Sequence, residues 1–577
     1  MKVTQYFTSK EAEFLQNPVF PSVKLNGVKE FYRSQEILTN DFFGFGVAIT
    51  GSSCYNLAKM TPSERETLLQ SIYGKNGLGL RVGRVSIGAS DYSAELYSYD
   101  DVDGDVELKH FSVERDEAYV IPMIKEILKI KPDLHLLASP WSPPAWMKTG
   151  GSMGGGYMRR EFIDCYAEYI VRFIQEYAKR GIRISALTPQ NEADTDQRGR
   201  MPACIWHPDI EAEFVITLRK KLKENGLDVK IWLYDHDFVG WKRVKWMLDT
   251  HEELRSSCDG LAFHYYAGRI EDTLPLQKAY PELPMHFTEG GPRLYDNYGT
   301  DWCKWGLMMS KVLNCGYKSF TGWNLMLDQF GGPNVGPFFC GGLVTRNSQT
   351  NELTYSGQYK TFSHIARFMK ENAVVYHVDQ QTKPMEMSHF SIEKGKNPVQ
   401  VSCIENEDGT VCYIFINANT DKEQVQIMEN GQWYYVELLP ETINTVVFES
   451  PRLESGLCRA LSFSREGAKR SFLARLALLK SRRGATERAF PQKGAVSFSV
   501  EQKHTKTNHI KIPLYHQEFD GKAVFFVEIL TNFNFYVCFL AAFWLSGVPL
   551  YADENQITTS ASKRDSPFFI IPQGKPF

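Results

Sequence analysis

The sequence predicts an α/β fold, a (β/α)8 TIM barrel carrying an accessory antiparallel β-sandwich domain. Three observations lead there. Eight short apolar runs recur between about residues 44 and 370, amphipathic helical segments separate them, and the texture turns to strands broken by tight turns after about residue 375.

The eight runs are Gly44–Thr50, Leu78–Ile87, Leu134–Pro140, Ile184–Glu192, Val229–Asp237, Gly260–Ala267, Met285–Gly291 and Phe320–Met326. Each is continuously apolar rather than alternating, as a parallel strand covered on both faces must be. Between them, Phe162, Tyr166, Tyr169, Phe173 and Tyr177 recur every three or four residues and mark one helix, which Gly181 ends. A second helical segment closes on Asn225-Gly226. Strand–helix alternation repeated eight times is the barrel pattern. A doubly wound sheet is the structural alternative, but the Gly-rich phosphate turn expected after its first strand is missing.

The expected organisation is a barrel over residues 41–374 and a sandwich over 375–450. Residues 1–40 would add strands to the sandwich, and 451–577 stay unassigned. Asp-Gly and Asn-Gly turns punctuate the sandwich segment. In the remainder, a basic stretch over residues 464–488 has helical composition. Ile529–Tyr551 runs 23 residues without a charge, long enough to span a bilayer. Its Thr531, Asn532, Asn534, Ser546, Gly547 and Pro549 count against that.

With 65 basic against 68 acidic side chains the net charge is -3, which argues against a nucleic-acid partner. Eleven cysteines lie scattered without a CxxC pair, suiting reduced thiols better than a disulfide framework. Cys54, Cys165 and Cys315 read as small core residues. The first residues show no apolar leader, so a cytoplasmic location is expected.

Reactive groups in a (β/α)8 enzyme gather at the C-terminal ends of the strands. There the fourth run ends in Pro189-Gln190-Asn191-Glu192 and the seventh in Thr288-Glu289-Gly290-Gly291. Glycosidic cleavage needs one carboxyl group to protonate the leaving oxygen and another to attack or stabilise the anomeric carbon. Two glutamates facing each other across a barrel mouth meet that need. A single strand-end Glu is more often a solvated charge; the pair in matching, glycine-flanked positions is not. Asn191 is placed to bond a sugar 2-hydroxyl, and His264 and Tyr266 to orient one of the glutamates. Arg84, leaving the second strand towards the same rim, is placed to keep Glu289 ionised. Trp141 and Trp323 are candidate sugar platforms. Glu192 is expected to start protonated, its pKa raised by burial and by negative Glu289. No metal or organic cofactor enters this chemistry.

The segments GFGVAITGSSCYNL, RVSIGASDYS, LLASPWSPPAWMK, TPQNEAD, FHYYAG, HFTEGG, GWNLMLDQFGGPN and LPETINTVVF resemble glycoside hydrolase family 30, the glucosylceramidase-like retaining β-glycosidases. The resemblance covers roughly residues 40–450. It implies Glu192 as acid/base and Glu289 as nucleophile, with Asp91, Trp141, Asn191, Tyr266 and Trp323 around the sugar. Asp91 would otherwise read as a loop charge. It also implies a sandwich built from both ends of the chain. The expected substrate is a β-glucoside, glucosylceramide being the first choice. Relatives acting on β-1,6-glucans, β-xylosides or β-fucosides are the alternatives, and a non-catalytic carbohydrate-binding barrel is the alternative of another class. Val47 stands where relatives commonly carry a second glycine.

Overall fold

The computed structural model describes residues 1–380 and 397–449 and the strands Gly494–Val500, Asn508–Phe519 and Lys522–Val527. The chain divides into two compact units, Met1–Arg452 and Leu453–Phe577.

In the first unit eight parallel strands close into a barrel: β1 (Gly44–Ala48), β2 (Val82–Ile87), β3 (His135–Pro140), β4 (Ala186–Leu187), β5 (Lys230–Asp237), β6 (Gly260–His264), β7 (Met285–Glu289) and β8 (Ser319–Gly322). They follow one another around the barrel in chain order, β8 pairing with β1. All eight apolar runs are therefore barrel strands, and closure removes the doubly wound alternative. Apart from Lys230 and His135 at their first positions, the strands are enclosed or nearly so. That is why their sequences carry no alternation.

Two runs are shorter as strands than as sequence. In the fourth, only Ala186 and Leu187 keep regular pairing, although Thr188 N still donates to Ala138 O at 3.0 Å. Beyond them Asn191 N donates to Pro140 O (2.8 Å) and Glu192 N to Asp235 O (3.0 Å), so the segment bonds to both neighbours while leaving ladder register. The eighth breaks at Asn324, whose φ is +61°. Met326–Asp328 then joins Val344–Arg346 and Leu353–Tyr355 in a small sheet.

The predicted aromatic helix is Ile163–Lys179, with Tyr166, Tyr169, Phe173 and Tyr177 buried and Gly181 at φ +78°. The next is Pro208–Glu224, which starts on a proline at its first turn and ends before Asn225 and Gly226.

Lys2–Thr8 pairs antiparallel with both Leu15–Pro18 and Thr442–Glu449 in a ten-stranded sheet. Val411–Asn417, Gln400–Glu405, Val374–Gln380 and Lys29–Thr39 follow, and then Glu423–Glu429, Gln432–Leu438 and Pro21–Ser22. Strands far apart in this order meet through their side chains. The rings of Phe448 and Tyr434 lie 5.0 Å apart, and those of Phe31 and Phe415 5.2 Å. The sheet thus folds over on itself around a core of its own.

The helix Trp302–Asn314, which follows β7, is caught between barrel and sheet, and every residue from Trp302 to Leu313 is buried. Trp302 Nε1 donates to Glu441 O (2.8 Å), and Ser310 and Ser402 share a 2.6 Å hydrogen bond. A Cβ at Gly306 would lie 2.9 Å from Ile416 Cγ1, so only glycine admits this approach. The element leading away from Glu289 is thereby fixed from both sides.

Past residue 450 the described strands form an antiparallel three-stranded sheet. The basic stretch and Ile529–Tyr551 lie outside the described residues. Among the described residues no helix is long and apolar enough to cross a membrane. The nine described cysteines are free; Cys54 is fully buried, while Cys165 and Cys315 are partly exposed.

Candidate active site

The ends of β4 and β7 bring Glu192 and Glu289 together. One carboxylate oxygen of each lies within 4.8 Å of the other and of a ring nitrogen of His264. Both residues are largely buried, at 9% and 6% exposure. Retaining glycosidases hold their two carboxyl groups about 5–5.5 Å apart, inverting ones about 6.5–9.5 Å. The spacing here belongs with the first class.

Three residues at this rim adopt left-handed backbone: Glu192 (φ +54°), Tyr234 (φ +86°) and Asp235 (φ +63°). Such conformations cost energy in non-glycine residues and persist where the surroundings enforce them. Around them the β5–β6 register slips between Ala262 and Phe263, and the β6–β7 register between Phe263 and His264. These irregularities turn the last side chains of β5, β6 and β7 towards one point.

Arg84 lies at that point, fully buried. Its Nη1 donates to Glu289 Oε2 (2.5 Å), its Nη2 to Asn191 Oδ1 and Asp235 Oδ2 (2.8 Å each), and its Nε to Ser139 Oγ (3.1 Å). The guanidinium also lies 4.8 Å from the Trp141 ring and 5.4 Å from Trp323, which stack on each other at 5.2 Å. Tyr266 donates its hydroxyl to Glu289 Oε1 at 3.0 Å. Both oxygens of Glu289 are therefore held.

Asp235, absent from the sequence reading, is the centre of the support. It accepts from Arg84, from Ser139 and Thr188 hydroxyls (2.9 and 2.6 Å) and from Thr288 (2.6 Å), and it bonds His264 Nε2 at 3.0 Å. Burial alone would raise its pKa. Arg84, His264 and the hydroxyl donors override burial and hold it far below the usual carboxylate range.

Glu192 has different company. Gln197 Nε2 donates to its Oε2 at 2.7 Å, His264 Nδ1 lies 3.4 Å from its Oε1, and His236 Nε2 3.7 Å. His236 Nδ1 is hydrogen-bonded to Asp194. Both imidazoles are raised against the effect of burial by the carboxylates around them, His236 to about 9 and His264 to about 10. Burial pushes Glu192 up, but His236, His264 and Gln197 together pull it to about 2. This corrects the expectation of a raised Glu192. The arrangement favours the proton on the imidazoles, because His236 and His264 beside one carboxylate outweigh its desolvation.

Asp91 is 4% exposed and its Oδ1 has no hydrogen-bond partner among the described residues. Burial, then the charges of Glu289 and Glu192, raise it well above an ordinary aspartate. Val335 N donates to Asp91 O (2.8 Å), and Tyr92 OH bonds Phe338 O (3.2 Å) and Cys340 N (3.0 Å). The loop after β8 is thus tied over the loop after β2. Glu192, His264 and Glu289 are close enough to chelate a cation.

All nine residues singled out from sequence gather here: Arg84, Asp91, Trp141, Asn191, Glu192, His264, Tyr266, Glu289 and Trp323. Asn191 spends its carbonyl on Arg84, and His264 joins Asp235 to the Glu192 side. Sequence reasoning missed Asp235, His236, Asp194 and Gln197. The signal was available in YDHD at the end of the fifth apolar run, a charged cluster at the same strand end as the two glutamates.

Residues 42–370 match the glycosyl hydrolase family 30 TIM-barrel domain. Among curated proteins, the chain is 28% identical over 433 residues to "Putative glucosylceramidase 3" of Caenorhabditis elegans, covering 71% of this chain and 80% of that protein. It is 27% identical to the endo-1,6-beta-D-glucanase of Neurospora crassa, over 65% of this chain and 81% of that one. Among solved structures, an endo-beta1,6-glucanase superimposes with a TM-score of 0.68 at 27% identity, over 78% of this chain and all of that one. With more than half its length matched to the domain and the barrel closed as that domain requires, the chain belongs to glycosyl hydrolase family 30 and is a glycosidase.

Proposed function

We propose that this enzyme hydrolyses β-glucosides by double displacement, with Glu289 as nucleophile and Glu192 as acid/base. The observation that carries the assignment is the separation of the two carboxylates, within 4.8 Å at their nearest oxygens. Glu289 attacks the anomeric carbon as Glu192 passes a proton to the leaving oxygen. Glu192 then takes a proton from water, whose oxygen displaces Glu289 and releases the sugar with its configuration kept. Tyr266 and Arg84 fix the attack direction. The Asp91 Oδ1, without a partner among the described residues, is suited to a sugar hydroxyl, and the paired Trp141 and Trp323 to the apolar face of the ring.

For the aglycone, similarity to glucosylceramidases supports a glucosylceramide-type substrate, and similarity to endo-1,6-glucanases supports a β-1,6-glucan. The reading includes contact with a membrane surface when the glycoside is a lipid. It also includes a cytoplasmic setting, which nine free thiols favour.

Two variants test the roles. Glu289→Gln is expected to lose nearly all turnover. Glu192→Ala is expected to lose activity chiefly on glycosides with poor leaving groups, azide restoring it on activated ones. Full turnover by Glu289→Gln would overturn the assignment. A panel of aryl β-glycosides, glucosylceramide and β-1,6-glucan ranks the substrates by kcat/KM.

A further inference from the structure

His236, on β5, faces Glu192 and has His264 as its ring neighbour. Its two nitrogens face three carboxylates: Nδ1 bonds Asp194, and Nε2 lies 3.7 Å from both Glu192 Oε1 and Asp237 Oδ2. Asp194 fixes which nitrogen points at Glu192, because a carboxylate at Nδ1 keeps a proton there and leaves Nε2 to exchange with Glu192. His264 also approaches Glu192, but its side chain is wholly enclosed and its other nitrogen is held by Asp235. His236 and Asp194 lead outwards instead, with 14% and 35% of their side chains exposed.

We propose that the Asp194–His236 dyad is the proton store of the acid/base: His236 Nε2 supplies the proton that Glu192 delivers to the leaving oxygen, and takes back the proton that Glu192 later removes from water. The inference rests on Glu192 being the acid/base. In the first half-reaction the proton moves from His236 Nε2 to Glu192 Oε1 and on to the glycosidic oxygen. The bond from that oxygen to the anomeric carbon breaks as a Glu289 oxygen bonds to the same carbon. In the second half, water oxygen bonds to the anomeric carbon and the ester bond to Glu289 breaks. The water proton passes through Glu192 to His236, and the cycle closes.

The charged and titratable groups facing His236 are Glu192 and Asp194 from the segment after β4, Asp237 on its own strand, and His264 on β6. Behind them are Tyr234, Arg243 from the helix Trp241–Thr250, and Glu211 from Pro208–Glu224. Arg243 opposes a proton on His236, but its nearest partner is Glu211, so the carboxylates dominate. The imidazolium persists to a pH of about 9.

The test compares wild type, His236→Gln, Asp194→Asn and Glu192→Gln, using a phenyl and a dinitrophenyl glycoside of the sugar that the enzyme cleaves. On the phenyl glycoside, kcat/KM is followed from pH 5 to 10. The basic limb is expected to move down by at least one pH unit in His236→Gln, and in the same direction by less in Asp194→Asn. On the dinitrophenyl glycoside, whose departure needs no proton, kcat/KM is expected to stay within about twofold; loss on both substrates would mean a merely structural role and overturn the proposal. Basic limbs that superimpose on wild type in both variants, each shown folded by its thermal transition, would also overturn it. Wild-type cleavage of the phenyl glycoside by Glu192→Gln would instead remove the acid/base assignment itself, and that outcome is read separately.

Discussion

Arg84 Nη1 and Glu289 Oε2 form a 2.5 Å ion pair in which the guanidinium is sealed from water and the carboxylate opens towards the pocket. The same guanidinium neutralises Asp235, so one cation serves two acids. Removing one member of a buried pair typically costs about 3–5 kcal/mol, because the partner stays desolvated and uncompensated. Arg84→Met is therefore expected to lose at least that much stability and most of kcat, measured by denaturant unfolding and steady-state kinetics. Arg84→Lys is expected to rescue little, since one ammonium cannot reach the four acceptors that the guanidinium fork holds.

The Asp235 carboxylate bonds neither catalytic carboxylate, yet it holds Arg84 and His264, the supports of both glutamates. Asn at this position replaces one oxygen by an NH2 donor, facing either Arg84 and the Ser139 and Thr188 hydroxyls or the Thr288 hydroxyl and His264. Asp235→Asn is expected to lower kcat on the order of 10²-fold through misplaced carboxylates, with a smaller effect on KM. An unchanged kcat would show that the network does not position them.

Two imidazoles give opposite pH dependences of stability. His364 is enclosed between Thr8 and Thr445, bonding both hydroxyls at 2.8 and 3.2 Å. Burial depresses it to about 3. A depressed histidine favours the fold fully above its unfolded value of about 6.5, and that contribution drains away as pH falls towards 3. By pH 4.5 the loss is roughly 3 kcal/mol. The Tm is expected to drop on acidification, less steeply in His364→Gln. His236 is raised, so its contribution is complete below about 6.5 and disappears as pH rises through about 9. His236→Gln should flatten that alkaline limb alone.

Gly306 offers a control remote from the chemistry. Gly306→Leu drives a side chain into Ile416 and Ile443, an overpacking cost of about 1–3 kcal/mol. Tm is expected to fall, while kcat measured well below the transition stays at the wild-type value.

The barrel was legible because burial on both faces leaves each strand a largely apolar run. The two glutamates were legible because strand ends are where such a barrel allows charge. Asp235 and His236 occupy the same kind of place, in the charged cluster that ends the fifth run. Their roles depend on left-handed backbone at Tyr234 and Asp235 and on register slips, neither of which leaves a compositional trace. The depressed Glu192 was equally out of reach, since it depends on which way two rings from β5 and β6 face. In the eighth run the break at Asn324 left a signal that is ambiguous in sequence, because asparagine adopts left-handed backbone in loops of many kinds.

Lys2–Thr8 finds its partner more than four hundred residues later, at Thr442–Glu449. A ribosome emitting this chain would finish every barrel strand before the first segment made could settle. Until then that segment would expose an edge able to pair with other chains. The order of synthesis thus brings out every barrel strand before Thr442–Glu449 can cover that edge.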